Sequence, residues 1–514
     1  MRHFFATAVA VATSILSHRT ALALPVVAEP ANAVQSVIIS AHNTLNGTAP
    51  PQSQQQQHQQ SLGVTDFTAS STSTSTSSNS LKFAVHNNLP STQHGLMAYV
   101  TGRDMSGAVV MLNSAGQWYY PDAQGSMIPV AIPESANIGI PLSPKTSEFT
   151  IPDFIESGRV YVSDGRLSFL VVTSDLGGTT LVEPSAANPA DASANVNWGF
   201  VELTNLKDAG IFANISFVDF VGLVMGMRLH LASGDAATQT QQVQGLAGDA
   251  VQAICDEMHA QGAKDGQPWG DMCVTDAASG KALRVMAPNM YVASHAEAML
   301  DYYTEYVDKV WARFAGEDLV IDTQSGAGKV ACRVKPAQNN PDKQVLACDG
   351  DNREYVKPVA SDIWGCNTGP FAIVASDNDV HKAVVPRLCA AFTRSELLVE
   401  GGSICTPSEE SSKRYYQADP TNHYSRIIHE HQVDGKGYAF SYDDVNPDGQ
   451  NAAGVVAGPS PQLLEIFVGG FGDDAGGGGG AGNASLPGVQ WHGRRDVPIR
   501  RRLTRFDRSM LGVE

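Results

Sequence analysis

Two carboxylic acids, Glu202 and Asp219, lie inside apolar, strand-like runs in the stretch 197–222, NWGFVELTNLKDAGIFANISFVDFVG. Alternation puts Phe200, Glu202 and Thr204 on one face of the first run, and Ala213, Ile215, Phe217, Asp219 and Val221 on one face of the second. A carboxylate among aromatic and β-branched neighbours loses hydration, which disfavours its charged form unless a partner holds it ionised. Two acids in unlike surroundings can divide into proton donor and proton acceptor, the division that breaking a glycosidic bond requires. Their placement raises a difficulty. If 205–210 closed a plain hairpin, Glu202 would face Ala213, and Asp219 would lie along the same face about 20 Å away at ~3.4 Å per residue. Either the pairing is not a simple hairpin, or curvature and a bulge bring the second acid back.

Other residues could serve such a pair. Thr204, Asn214 and Ser216 offer short polar groups to orient sugar hydroxyls or a water, and Trp198 could stack on a sugar ring or pack in the core. Asn214 also opens a glycosylation sequon, but a glycan there would obstruct a groove, so Asn46 and Asn483 are the expected acceptors. The His429–His431 triplet HEH lacks the partners of a zinc-protease motif and reads as a surface strand.

The positioning elements follow from the pattern. Residues 1–23 carry a basic start, an apolar run and a small-residue end, as a secretory signal does. Residues 24–80 are Ala/Pro-, then Gln-, then Ser/Thr-rich and are expected to be disordered. From Leu81, short alternating runs between turn residues predict a sandwich or barrel over 81–235. Helical periodicity marks a mixed α/β region over 236–424, with helices expected over 238–260, over 294–314 behind a Ser294–Glu297 capping box, and from about Asn378, bent or restarted at Pro386. Strand texture returns over 425–470 in KGYAFSYDDV and LLEIFVGG, and 471–514 is a Gly-rich, then Arg-rich tail expected to be disordered.

Composition narrows the partners. A formal charge of −18 over 514 residues argues against nucleic acid, and no uninterrupted apolar run after the leader is long enough to span a membrane. Seven cysteines in a chain routed to an oxidising compartment suggest three bridges and one leftover thiol. A hairpin-like stretch suits Cys332–Cys348; Cys366–Cys389 and Cys255–Cys273 complete a sequential set that leaves Cys405, though sequence allows many other pairings. No CxxC spacing is present, so neither zinc nor another cofactor is expected.

The words WGFVELT and NISFVDFVG resemble those of glycoside hydrolase family 64, endo-acting β-1,3-glucanases related to thaumatin-like proteins. The likeness is to a fungal-type member and extends through GRVYVSDGRLSFLV, DGQPWGDMCV, GDNREYVKPVASDIWGCNTGPF and PTNHYSRIIHEHQVDGKGYAFSYDDVNPD, roughly from 81 to 470. It implies a mainly β protein: a thaumatin-like β-barrel or sandwich with a mixed α/β insertion and a wide groove between them. It implies Glu202 as general acid and Asp219 as general base of an inverting reaction on β-1,3-glucan, with Asp443 and Asp444 lining the groove. The resulting expectation is a secreted or wall-associated monomer. The alternative is a thaumatin-like wall protein that binds β-glucan without cutting it.

Overall fold

The computed structural model describes residues 26–28, 37–39, 43–48, 79–174, 177–232, 239–276, 279–404, 406–448 and 450–472. The expected leader, most of the 24–80 tract, nearly all of the 471–514 tail, Asn483 and Cys405 lie outside the described residues. Within 24–80, however, 43–48 is ordered: the strand Thr44–Asn46 pairs with Thr179–Val182. Asn46, expected to be a glycan acceptor in a disordered flank, sits in that strand, and its Oδ1 accepts from Thr180 Oγ1 at 2.6 Å.

The chain is mainly β with a helical region. The largest sheet runs in the order Val456–Gly458, Gly210–Ile215, Asn197–Leu206, Ile155–Asp164, Leu96–Arg103, Val109–Leu112 and Trp118–Tyr119. A five-stranded sheet contains the parallel pair Leu81–Asn87 and Pro461–Val468, strands 374 residues or more apart in sequence that are hydrogen-bonded together. Apolar residues alternate into one continuous core that includes side chains from both sheets and from the helices.

The region 236–424 holds the longer helices, Ala250–Asp265, Thr304–Gly316 and Asp379–Thr393, beside a three-stranded sheet. Several expected boundaries move. Thr240–Val243 is a strand rather than the start of a helix, and the helix begins only at Ala250. Between them Gly245 takes φ +70°, where a Cβ would collide with the Met225 carbonyl, a geometry that interrupts a helix. The expected 294–314 helix is two helices, Pro288–Ser294 and Thr304–Gly316, and Ser294 Oγ donates back to Tyr291 O instead of capping forward. The Asp379–Thr393 helix runs through Pro386, its start capped by the Asn378 side chain. Two strand expectations give way as well. His429 to His431 close the helix His423–His431, and 441–444 forms a turn because Asp443 is drawn inward. Three disulfides join Cys255–Cys273, Cys332–Cys348 and Cys366–Cys389; the second links directly paired residues of a hairpin.

Candidate active site

Strand register builds the site. In the large sheet Thr101 pairs with Arg159, Arg159 with Glu202, and Glu202 with Asn214, so four polar side chains form one row across four strands. One step along the same face lies an aromatic row, Tyr99, Tyr161 and Phe200. Arg159 stands over the Phe200 ring at 4.7 Å, its apolar stem and cationic face both used.

The pairing of Glu202 with Asn214 differs by one residue from the expected Glu202–Ala213 register. Leu206 pairs with Gly210, leaving the odd-numbered loop 207–209, and an odd loop exchanges the faces of the second strand. Gly210 permits this turn: its φ is +75°, and a Cβ there would lie 2.2 Å from Gly458 O. Asn214 therefore lies across from Glu202, and Ala213 and Ile215 point into the core on the other face.

Asp219 does not continue that hairpin, which removes the distance problem. The strand ends at Ile215, Ser216 bridges to Tyr438, and Phe217 N donates to Tyr438 O. Tyr424 Oη donates to Phe217 O at 2.6 Å, and Ala287 N donates to the Asp219 carbonyl at 2.9 Å. The chain then enters another sheet as Phe220–Val221. This crossing turns Asp219 back towards the large sheet.

Arg159 gathers the acids. Its Nη1 is 2.8 Å from Glu183 Oε2, while Nη2 is 3.2 Å from Glu202 Oε1 and 3.9 Å from Asp219 Oδ2. The last two oxygens share one nitrogen and so lie at most about 7 Å apart, a ceiling that overlaps only the lowest part of the ~6.5–9.5 Å spacing of an inverting pair. Glu183 is further held by Thr101 Oγ1 at 2.8 Å. Burial works against charge on Arg159, but Tyr161, Glu183, Glu202 and Asp219 together hold it well above the ordinary guanidinium range. Burial first, and then Glu183, hold the Tyr161 phenol protonated. Three carboxyls thus face one guanidinium.

A small pocket of about 10 Å³, room for roughly one water, opens at this cluster, lined among others by Arg159, Trp198, Phe200, Asp219 and Asn43. Asn214 Nδ2, Ser216 Oγ and Trp198 Nε1 are buried with no protein partner. Buried polar atoms left this way demand a ligand or water.

The model of the family described as Beta-1,3-glucanase, glycoside hydrolase family 64, matches residues 79–468. The chain belongs to glycoside hydrolase family 64. Curated relatives include a glucan endo-1,3-beta-glucosidase of Cellulosimicrobium cellulans, 27% identical over 342 residues covering 65% of this chain and 56% of the relative. Another, from Arthrobacter sp. (strain YCWD3), is 26% identical over 298 residues, covering 56% of this chain and 48% of that one. The chain spans about half the length of the curated relatives it matches. Among solved structures, a laminaripentaose-producing beta-1,3-glucanase in complex with laminaritetraose superposes with TM-score 0.63 at 24% identity, covering 76% of this chain and 98% of that one. A glycoside hydrolase family 64 beta-1,3-glucanase domain from Clostridium beijerinckii gives TM-score 0.58 at 19% identity, covering 77% and 100%. These likenesses establish the mainly β family 64 fold.

Against this family frame, Glu202, Asp219, Asn214, Ser216 and Trp198 lie together around the cluster, and Thr204 stands one step beyond Glu202, accepting from Ser157 N at 3.3 Å. Trp198 is 3% exposed and packs edge-on against Phe220, so it lines the cavity from the core instead of offering an open stacking face. Asp443 departs from its expected place on a groove wall. It is wholly buried, paired with Arg394 at 2.9 Å and His429 at 2.8 Å and accepting from Ala439 N, a structural anchor with its oxygens committed. Asp444 accepts from Tyr438 Oη at 3.1 Å, and Tyr438, raised by burial, also feels Glu202. Asn214 is 1% exposed, which closes its sequon to a glycan.

Arg159 and Glu183 escape sequence reading. Each looks like an ordinary strand charge, and only cross-strand register reveals them. Among the described residues one grouping has metal-ligand spacing, Cys255, His259 and Cys273, but its two sulfurs are bonded to each other. No helix among the described residues is long and apolar enough to cross a membrane.

Proposed function

We propose that this chain is a secreted, inverting endo-β-1,3-glucanase acting on laminarin-type or cell-wall β-1,3-glucan, with Glu202 as general acid and Asp219 as general base. The observation that carries this reading is the pair of buried acids held by one guanidinium, with Asp219 lining a small pocket beside it. Family membership supports the same chemistry, and the names of the matched relatives support the substrate class. The thaumatin-like barrel, the mixed domain, the groove between them and the fungal-type character belong to the same proposal, although the matched relatives named above are bacterial.

In one displacement, Glu202 gives its proton to the departing glycosidic oxygen while Asp219 takes a proton from a water attacking the opposite face of the ring. The reaction needs Glu202 to enter it protonated. Arg159 then keeps Glu183 and Asp219 as its anionic partners, and its charge holds Asp219 ready as base. Asn214 and Ser216 flank Glu202 and the chain leading to Asp219, where unpaired donors suit sugar hydroxyls or the water. A binding-only wall protein would use the same cavity without turnover. Reducing-sugar release from laminarin separates the two: the enzyme releases it, Glu202→Gln binds without releasing it, and absence of release from the wild-type protein would leave only binding.

A further inference from the structure

The segment 43–48 lies outside the family match, which begins at residue 79, yet its first residue, Asn43, lines the pocket at the candidate active site. Thr44 pairs with Val182, Leu45 with Leu181 and Asn46 with Thr180, antiparallel. Backbone pairing extends past both ends of the strand. Glu183 N donates to Asn43 O at 2.8 Å, Gly47 N to Thr179 O at 2.9 Å, and Thr48 N to Gly107 O at 2.9 Å. Leu45 enters the main core and fixes the register.

That register brings Asn43 against Glu183, the acid that grips Arg159. The Asn43 side-chain amide donates to the Glu183 carbonyl at 3.2 Å, and the residue is 3% exposed. It also lines the cavity shared with Asp219, Arg159 and Trp198. A segment that adds to a sheet as an extra strand can supply a binding wall without altering the strands behind it. A buried amide beside a charged cluster also suits hydroxyl-bearing ligands better than apolar ones.

We propose that 43–48 is a strap, added to the family core, which completes the sugar-binding wall beside Asp219, and that Asn43 is a specificity-determining residue for the glucose ring held there. This inference rests on the reading of the Glu202–Asp219 pair as a glucan-cleaving site. It gives a stretch of the low-complexity N-terminal tract a role in choosing how the glucan chain is seated. Leu45 holds the strap down and Asn43 meets the substrate.

The test uses the full chain with linear β-1,3-gluco-oligosaccharides of increasing length. Asn43→Ala removes the amide and keeps the strap; Leu45→Asp expels the strap from the core. Expected results are a KM raised about tenfold in Asn43→Ala, the equivalent of about 1.4 kcal/mol, with a smaller fall in kcat, and a changed ladder of product lengths in both variants. The pH profile should keep both limbs, and Asn43→Ala should unfold only slightly below the wild type, as the loss of one buried hydrogen bond dictates, with the KM rise persisting at temperatures where both are folded, which sets a substrate contact apart from general loosening. An active wild-type protein whose KM and product ladder are matched by Asn43→Ala would overturn the strap proposal. Absence of cleavage by the wild-type protein would instead remove the functional reading beneath it.

Discussion

Arg159 sets the terms on which the two acids can act, because one guanidinium serves Glu183, Glu202 and Asp219 at once. Replacing it by Met leaves buried carboxylates without a cation, and the expected loss is about 3–5 kcal/mol of stability in urea titration at neutral pH. Glu202→Gln keeps the side-chain shape and removes the transferable proton; laminarin hydrolysis should fall by about 10²–10⁴-fold while pull-down on insoluble glucan persists. Sequence singles out Glu202 and Asp219 as acids inside apolar alternating runs, while the roles proposed for them come from the family resemblance. Arg159 and Glu183 are not singled out, since no local pattern tells a strand Arg facing a site from one facing solvent. Asp443 shows the converse: its aromatic-acid surroundings suggest a groove, but Arg394 and His429 lie far away in sequence and pull it into the interior.

Strands and turns decide whether the acids meet. The three-residue loop 207–209 puts Asn214, not Ala213, opposite Glu202, and Gly210 at φ +75° is the residue that permits it. Gly210→Ala should cost about 1–2 kcal/mol for the left-handed backbone, with a further penalty from contact with Gly458 O, read as a lower midpoint in thermal unfolding. Strand existence was legible in the alternation of 197–215, and so was a third helix from about Asn378. The parity of the hairpin was not, because it depends on loop length, and the return of Asp219 depends on Tyr438, Tyr424 and Ala287, all distant in sequence. The HEH triplet looked strand-like by alternation, but the Asn422 side chain caps Ser425 N and starts a helix instead.

Taken whole, the molecule joins the two ends of its family-matched stretch in the parallel pair Leu81–Asn87 and Pro461–Val468, with the helical region lying between them in sequence. That region contains a pH-sensitive element of its own. Burial pushes the Glu396 carboxyl up to about 7, with Arg394 and Ser411 working the other way, and its Oε2 lacks a partner, as suits a neutral acid. The folded protein therefore holds this proton up to about pH 7, whereas the unfolded chain releases it near its ordinary value of 4.5. Stability from this group is complete below pH 4.5, declines as pH rises from there to about 7, and is level beyond. Urea midpoints across this range should flatten in Glu396→Gln relative to wild type; parallel slopes in the two proteins would contradict the assignment.

The central claim is that Glu202 and Asp219 cleave β-1,3-glucan in a single displacement through a water between them. Proton NMR of the anomeric region during early hydrolysis of a linear β-1,3-glucan by the wild-type protein tests it directly. The α anomer should appear first and then equilibrate. First appearance of the β anomer, or no new reducing ends at all, would contradict the account.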